Sequence, residues 1–227
     1  MNLDPDLTPA EAPGPGELAL ILAAERLFAE RGIEGVSLRQ INQAANQKNI
    51  AAAHYHFGSR DGLVHAVLRH RWLRLDRRRA EMLARTGRTK DIRFYLEAFI
   101  EPLTEELFPR EEGNYYLRFI SQYGRFRLDL DAVKTVTPAG VQIYAEIERF
   151  LSYLPKHVRK FRIHHLISLI HSILASAEEQ LSNGELDQAS LSLTSANMID
   201  MLASALTAPL SGETLDLLRA VESSRRT

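Results

Sequence analysis

From Val36 to Ser59 two short helix signatures flank a four-residue polar break, and few folds accommodate that spacing. Ser37-Leu38-Arg39-Gln40 is a capping box, in which the Ser and Gln side chains satisfy backbone N–H groups at a helix start. Leu38, Ile41, Ala44 and Ala45 then recur at helical spacing and form a narrow apolar stripe. Asn46-Gln47-Lys48-Asn49 interrupts it, and a second, alanine-rich run follows from Ile50 to His56. Gly58-Ser59 ends that run, with Ser59 placed to cap a long helix starting near Arg60. Upstream, Leu20, Ala24, Leu27 and Phe28 share one face of a helix that ends at Gly32.

The remainder reads as further helix. Val64, Leu68, Trp72, Leu75 and Met82 keep helical spacing to an end near Thr86-Gly87-Arg88-Thr89. Later runs are expected over Asp91 to Phe108, kinked or interrupted at Pro102, and from Asn114 to about Leu128. Three more follow, Pro138 to Tyr153, Lys156 to Leu181 and about Leu186 to Ala208. No segment alternates as a strand between hairpin signals. The expected class is all-α: a three-helix N-terminal helix-turn-helix head joined by a long helix to a C-terminal helical bundle. The expected limits are a disordered tail over 1–16, the head over 17–62, the body over 63–209 and a C-terminal tail over 210–227.

Composition narrows the setting. Apolar residues make up 45% of the chain and charged residues 25%, an ordinary globular balance. The chain has no cysteine, which removes disulfides, thiol nucleophiles and Cys-ligated metals. Its acidic, Pro- and Gly-rich start lacks the pattern of a signal or transit peptide, and charges break every apolar run. A soluble, cytoplasmic protein is expected, with no membrane contact.

The net charge of −1 hides an asymmetry. Glu17 to Ala80 holds eleven Lys/Arg against six Asp/Glu, while the first sixteen residues and the part beyond Ala80 each carry −3. A basic head on an acidic body fits an end that meets a polyanion, although variation among surface helices also produces such differences. Two short helices braced by a third can place one helix in the DNA major groove, about 12 Å wide. Ala51, Ala52 and Ala53 keep that helix slim. Gln47 and Asn49 carry amides suited to adenine, and Lys48 suits guanine or phosphate. Ser37, Arg39, His54, Tyr55 and Arg60 are candidates for positioning on the backbone. His56 and Phe57 are read as locking the helix onto the head's core.

The stretch VSLRQINQAANQKNIAAAHYHFGSRDGLVHAVL resembles the N-terminal domain of the TetR family of bacterial transcriptional regulators. That family shows a Val-Ser-Leu-Arg-x-Ile start and a Tyr-x-x-Phe-x-Ser-Lys-x-x-Leu exit, and the likeness runs from about Leu18 to Leu68. Asn46 stands where the turn usually has Gly, and Asn tolerates the left-handed backbone. The segment from Asn46 to Phe57 is one residue longer than the commonest pattern, which leaves open which of Gln47, Lys48 and Asn49 faces the bases. It looks like the branch with a Gly-Gln-Arg-Asn turn followed by Leu-His-Tyr-His-Phe.

The resemblance implies a helical body that binds a small molecule and dimerises through its last two helices. Thirteen of the sixteen Phe and Tyr residues follow residue 90, and an aromatic wall with a few hydroxyls suits an apolar ligand. Phe99, Tyr116, Phe119, Tyr123, Ile147 and His171 are the candidate lining, with ordinary core packing as the competing reading for each. Leu166, Ile170, Ile173, Ala196, Leu202 and Leu206 are the candidate dimer face, because the last long helices are apolar over more than one side. His157, His164 and His171 recur every seven residues, about 10.5 Å along a helix, too far apart to share one ion. No metal or cofactor is expected. The arginines from Arg69 to Arg79 form either a solvated connector face or an extension of the DNA-facing field.

These features lead to a ligand-responsive DNA-binding regulator, and the resemblance implies a homodimeric repressor released from a palindromic operator by an apolar or aromatic effector. The alternative is a helical small-molecule-binding or interaction protein without DNA binding. No nucleophile–base pair, phosphate-binding glycine loop or metal set supports an enzyme.

Overall fold

The computed structural model describes residues 13–49, 51–108, 114–123 and 137–224, and all regular structure among them is helical. The head comprises α1 (Pro15–Arg31), α2 (Leu38–Ala44) and α3 (Ala52–Phe57). The long α4 (Arg60–Leu83) leaves it for the body, formed by α5 (Ile92–Glu105), α6 (Tyr116–Tyr123), α7 (Pro138–Phe150), α8 (Lys156–Ser182) and α9 (Gln188–Thr207). A last helix, α10, spans Gly212–Ser224. Residues 1–12 of the expected N-terminal tail lie outside the described residues, as do Ile50, Phe126 and residues 124–128 of the expected sixth helix.

Local chemistry sets most boundaries. Pro15 stands in the first turn of α1, where its missing N–H costs nothing, so that helix begins inside the segment expected to be a tail. The Ser37–Gln40 capping box is formed at both ends. Asn46 adopts φ 51°, the left-handed conformation that the turn requires. Ser59 caps α4 by accepting the Gly62 N–H at 3.0 Å, and Asp91 caps α5 by accepting that of Phe94 at 2.9 Å. Pro102 does not interrupt α5, which runs unbroken to Glu105; the helix there forgoes the one bond that residue 102 would donate to the Ala98 carbonyl.

Two helix starts are capped from elsewhere in the fold. Asp76 on α4 accepts the N–H groups of Ala139 and Gly140 at the start of α7, at 3.2 and 2.8 Å. Glu178 on α8 accepts those of Leu117 and Arg118 at the start of α6, both at 3.1 Å. Each carboxylate satisfies orphan donors and meets the positive end of a helix dipole. At the other end of the chain, Ser211 accepts the Thr214 N–H at 3.2 Å and opens α10 where a tail was expected.

One apolar core runs through head and body. Phe28 of α1 stacks on Phe119 of α6 with ring centroids 6.0 Å apart, and Phe119 stacks in turn on Tyr123 at 6.1 Å. Gln122 of α6 donates to the Ala29 carbonyl at 2.9 Å across the same seam. α6 also packs along α8, while α9 packs along α5 and α8.

Most of the arginine run on α4 is turned to the protein, and Arg77 is its exposed member. Arg71 is 1% exposed; its Nε and Nη2 each donate to Glu25 of α1 at 2.6 Å, and its Nη1 donates to Glu106 at 3.0 Å. Arg74 also pairs with Glu106, and Arg78 pairs with Glu105 and Glu81. About two helical turns of α4 thereby tie α1 to the end of α5 through charges.

Candidate functional site

The head presents an exposed polar surface built on α2 and α3. Asn42, only 4% exposed, fixes the two helices: its Nδ2 donates to the Leu38 carbonyl and its Oδ1 accepts the Ala53 N–H, both at 3.0 Å. Ala52 and Ala53 face inward, which lets α3 lie close to α2, and Ala51 faces out. Of the three alanines expected to keep the helix slim, Ala51 does so on the outer side and Ala52 and Ala53 do so against α2 and the core.

Ser37, Arg39, Lys48, Asn49, His54 and Tyr55 are all exposed, Tyr55 at 83%. Gln47 is tucked back, its Nε2 donating to the carbonyls of Gly16 at 3.3 Å and Ala45 at 3.4 Å. Asn49 uses its Oδ1 to accept the Ala51 N–H at 2.9 Å. Of the three turn residues, Lys48 therefore extends outward while the two amides brace the backbone. Arg60 pairs with the Glu34 carboxylate and donates to its carbonyl at 3.3 Å. His56 does not lock the helix inward: it is exposed, with its ring against Tyr55 and Phe57, and Phe57 alone packs onto the core.

In the body, the candidate lining residues separate into two groups. Phe99, Tyr116 and His171 converge on a residue absent from the expected set, Arg79 of α4. Its guanidinium lies 4.3 Å above the Phe99 ring and donates to the Phe99 carbonyl at 3.4 Å. The Tyr116 hydroxyl accepts the indole N–H of Trp72 at 3.1 Å, and burial pushes its phenol up from the ordinary tyrosine value. Burial and the Arg79 charge together lower His171 to about 4, so it is neutral near pH 7. Phe119 and Tyr123 belong instead to the seam with α1, and Ile147 lies on the buried side of α7.

The candidate dimer face requires a correction. Leu166, Ile170, Leu202 and Leu206 are buried within the protomer, because α8 and α9 turn these sides onto α6 and α5. Ile173 is half-buried and Ala196 exposed. The apolar residues left outside are Phe161 and Leu169 on α8 and Leu193 and Met201 on α9, each pair two turns apart. Periodicity revealed that both helices were apolar on two sides, but not which side each used at home. Among the described residues no group of three or more acidic, His or Cys side chains could hold a metal, and no helix is long and apolar enough to cross a membrane.

Residues 20–67 match the family model described as bacterial regulatory proteins, tetR family. The resemblance carried by the Val36–Leu68 motifs is thereby borne out, and the head is a TetR-type helix-turn-helix domain. The fold extends the likeness beyond the head. A TetR-like transcriptional regulator from Rhodococcus sp. RHA1 superimposes over 88% of this chain and 100% of its own, with a TM-score of 0.53 and 16% identity. An alanine-substituted variant of HlyIIR does so over 88% and 100%, with a TM-score of 0.50 and 19% identity. Comparison with curated proteins finds no match. The chain thus shares the all-helical fold of these two structures, and its match to the tetR family model lies in the head.

Proposed function

We propose that the protein is a homodimeric transcriptional repressor, non-enzymatic and cytoplasmic, that leaves a palindromic operator when a small molecule binds its body. The observation that carries this reading is the outward set Arg39, Lys48 and Tyr55 on an α2–α3 pair held rigid by Asn42. Such a surface supplies a cation and donors to phosphates and one extended side chain to the groove. The outer face of α8 and α9, with Phe161, Leu169, Leu193 and Met201, supplies the dimer contact. Two-fold symmetry then doubles the contacts and calls for two half-sites.

Release follows from the course of α4. Arg79 sits among the effector-site residues and Arg71 holds Glu25 of the head, eight residues or about 12 Å apart on one helix. An effector that binds one tilt of α4 better than another shifts the population of head positions, and without such a difference it shifts nothing. Gel retardation with DNA from upstream of the gene, over a series of salt concentrations, tests the reading. Specific retention is expected, with the slope of log K against log salt reduced by about 1 in Arg39→Ala and in Lys48→Ala. Absence of retention in the parent protein would leave the alternative of a helical binding protein; an unchanged slope in both variants would displace the proposed surface.

A further inference from the structure

Two arginines on α4 are nearly inaccessible to solvent, and among the described residues only Arg71 of the two is hydrogen-bonded to a carboxylate. Arg71 donates three hydrogen bonds to two carboxylates. Arg79, 5% exposed, faces a ring and one carbonyl, and its buried Nε has no hydrogen-bond partner. The acid within one turn, Asp76, accepts its hydrogen bonds from the Ala139 and Gly140 N–H groups, so its charge reaches Arg79 only through space. A guanidinium cannot shed its proton to escape burial, so an unanswered one is a costly feature to keep in a core.

The neighbours of Arg79 are also donors. Tyr116 accepts from Trp72 through its oxygen, leaving its own proton available, and burial keeps that phenol protonated. His171 is held neutral by burial and by Arg79, and a neutral imidazole carries one N–H. Gly140 packs closely against the guanidinium: a Cβ there would stand 3.4 Å from Arg79 Nη1 and 3.3 Å from Thr137 Oγ1, so a larger residue would crowd it. A buried cation beside a phenol proton, a neutral imidazole that can donate through one nitrogen, and a phenyl ring calls for a group that accepts hydrogen bonds and carries negative charge.

We propose that the body binds an organic carboxylate, its carboxyl paired with Arg79 and flanked by Tyr116 and His171, its apolar part against Phe99. This rests on the reading of the body as an effector site and replaces a neutral apolar effector with an anionic one. A single buried cation matches a monoanion, and the planar fork of Arg suits a carboxylate.

Trp72, the chain's one tryptophan, is bonded to Tyr116 and gives the site its own fluorescence reporter. The full-length protein is titrated, without DNA, with matched probes: benzoate and benzamide, 2-naphthoate and 2-naphthamide, octanoate and octanamide. At least one acid is expected to change Trp72 emission and bind about tenfold or more tighter than its amide. Arg79→Met abolishes that preference, and because it removes an unpaired buried charge, its thermal midpoint in the absence of probe is no lower than the parent's. Equal binding of acid and amide, persistence of the preference in Arg79→Met, or silence of every acid overturns the proposal. Gel retardation on the same samples separates this result from the regulator reading: DNA retained with all acids silent removes only the anion site, while an acid preference without DNA retention removes only the regulator.

Discussion

Arg71 of α4 grips Glu25 of α1 through two hydrogen bonds of 2.6 Å, both side chains 1% exposed, and so joins the connecting helix to the head. Removing Arg71 strands the Glu25 carboxylate in the core, and removing Glu25 leaves Arg71 with Glu106 alone. Glu25→Ala and Arg71→Ala are each expected to destabilise the protein by about 3–5 kcal/mol in chemical denaturation, whereas the double change Glu25→Leu with Arg71→Met recovers most of the loss. A loss below about 1 kcal/mol in both single variants would show that the pair does not hold the junction.

Asn42 carries the geometry of the recognition surface. Asn42→Ala leaves the Ala53 N–H without its acceptor in a buried position, at a cost of about 1–3 kcal/mol. Hydrogen exchange at the Ala53 amide is expected to accelerate and DNA retention to fall, while exchange in α8 and α9 stays unchanged. Asn42→Asp keeps an acceptor and recovers part of the protection. Equal acceleration across the body would mean that Asn42 stabilises the whole fold and not the surface.

Much of the head was legible because its determinants are local. The Ser37–Gln40 box, the Ser59 cap and the left-handed Asn46 each depend on residues within a turn of one another. Asn42 was not legible, since its partner Ala53 lies eleven positions away and an Asn on a helix face reads as solvated. The body was legible as helices and as a concentration of aromatic side chains, but not as a site. Arg79 looked like one member of a charged face, and only the positions of Phe99, Tyr116 and His171 distinguish it from Arg78. The inward sides of α8 and α9 were likewise fixed by α5 and α6, which periodicity cannot see.

The same distinction yields a test of assembly. Leu169→Glu combined with Met201→Glu is expected to give a monomer by light scattering with unchanged helical circular dichroism. Ile170→Glu, which places a charge where exposure is 0%, is expected to unfold the protein instead. A dimer that persists in the double variant would move the interface elsewhere.

His171 predicts a pH dependence. Its folded value of about 4 lies below the ordinary histidine value of 6.5, so the unfolded chain takes up the proton first as pH falls. The associated stability is present above pH 6.5 and is lost as pH falls toward about 4, on the order of 3 kcal/mol in all. Denaturant midpoints of His171→Gln are expected to fall less steeply than the parent's over this interval. Parallel profiles would show that His171 is as accessible to protons in the fold as out of it.

The central claim, that two copies of α3 read one duplex, is tested most directly by selecting binders from a random duplex pool with the full-length protein. The predicted result is an enriched inverted repeat whose half-site centres lie about one helical turn, ~34 Å, or a multiple of it apart, with the enrichment lost in Lys48→Ala combined with Tyr55→Ala. Recovery of no preferred sequence, or of the same repeat by that double variant, would contradict it.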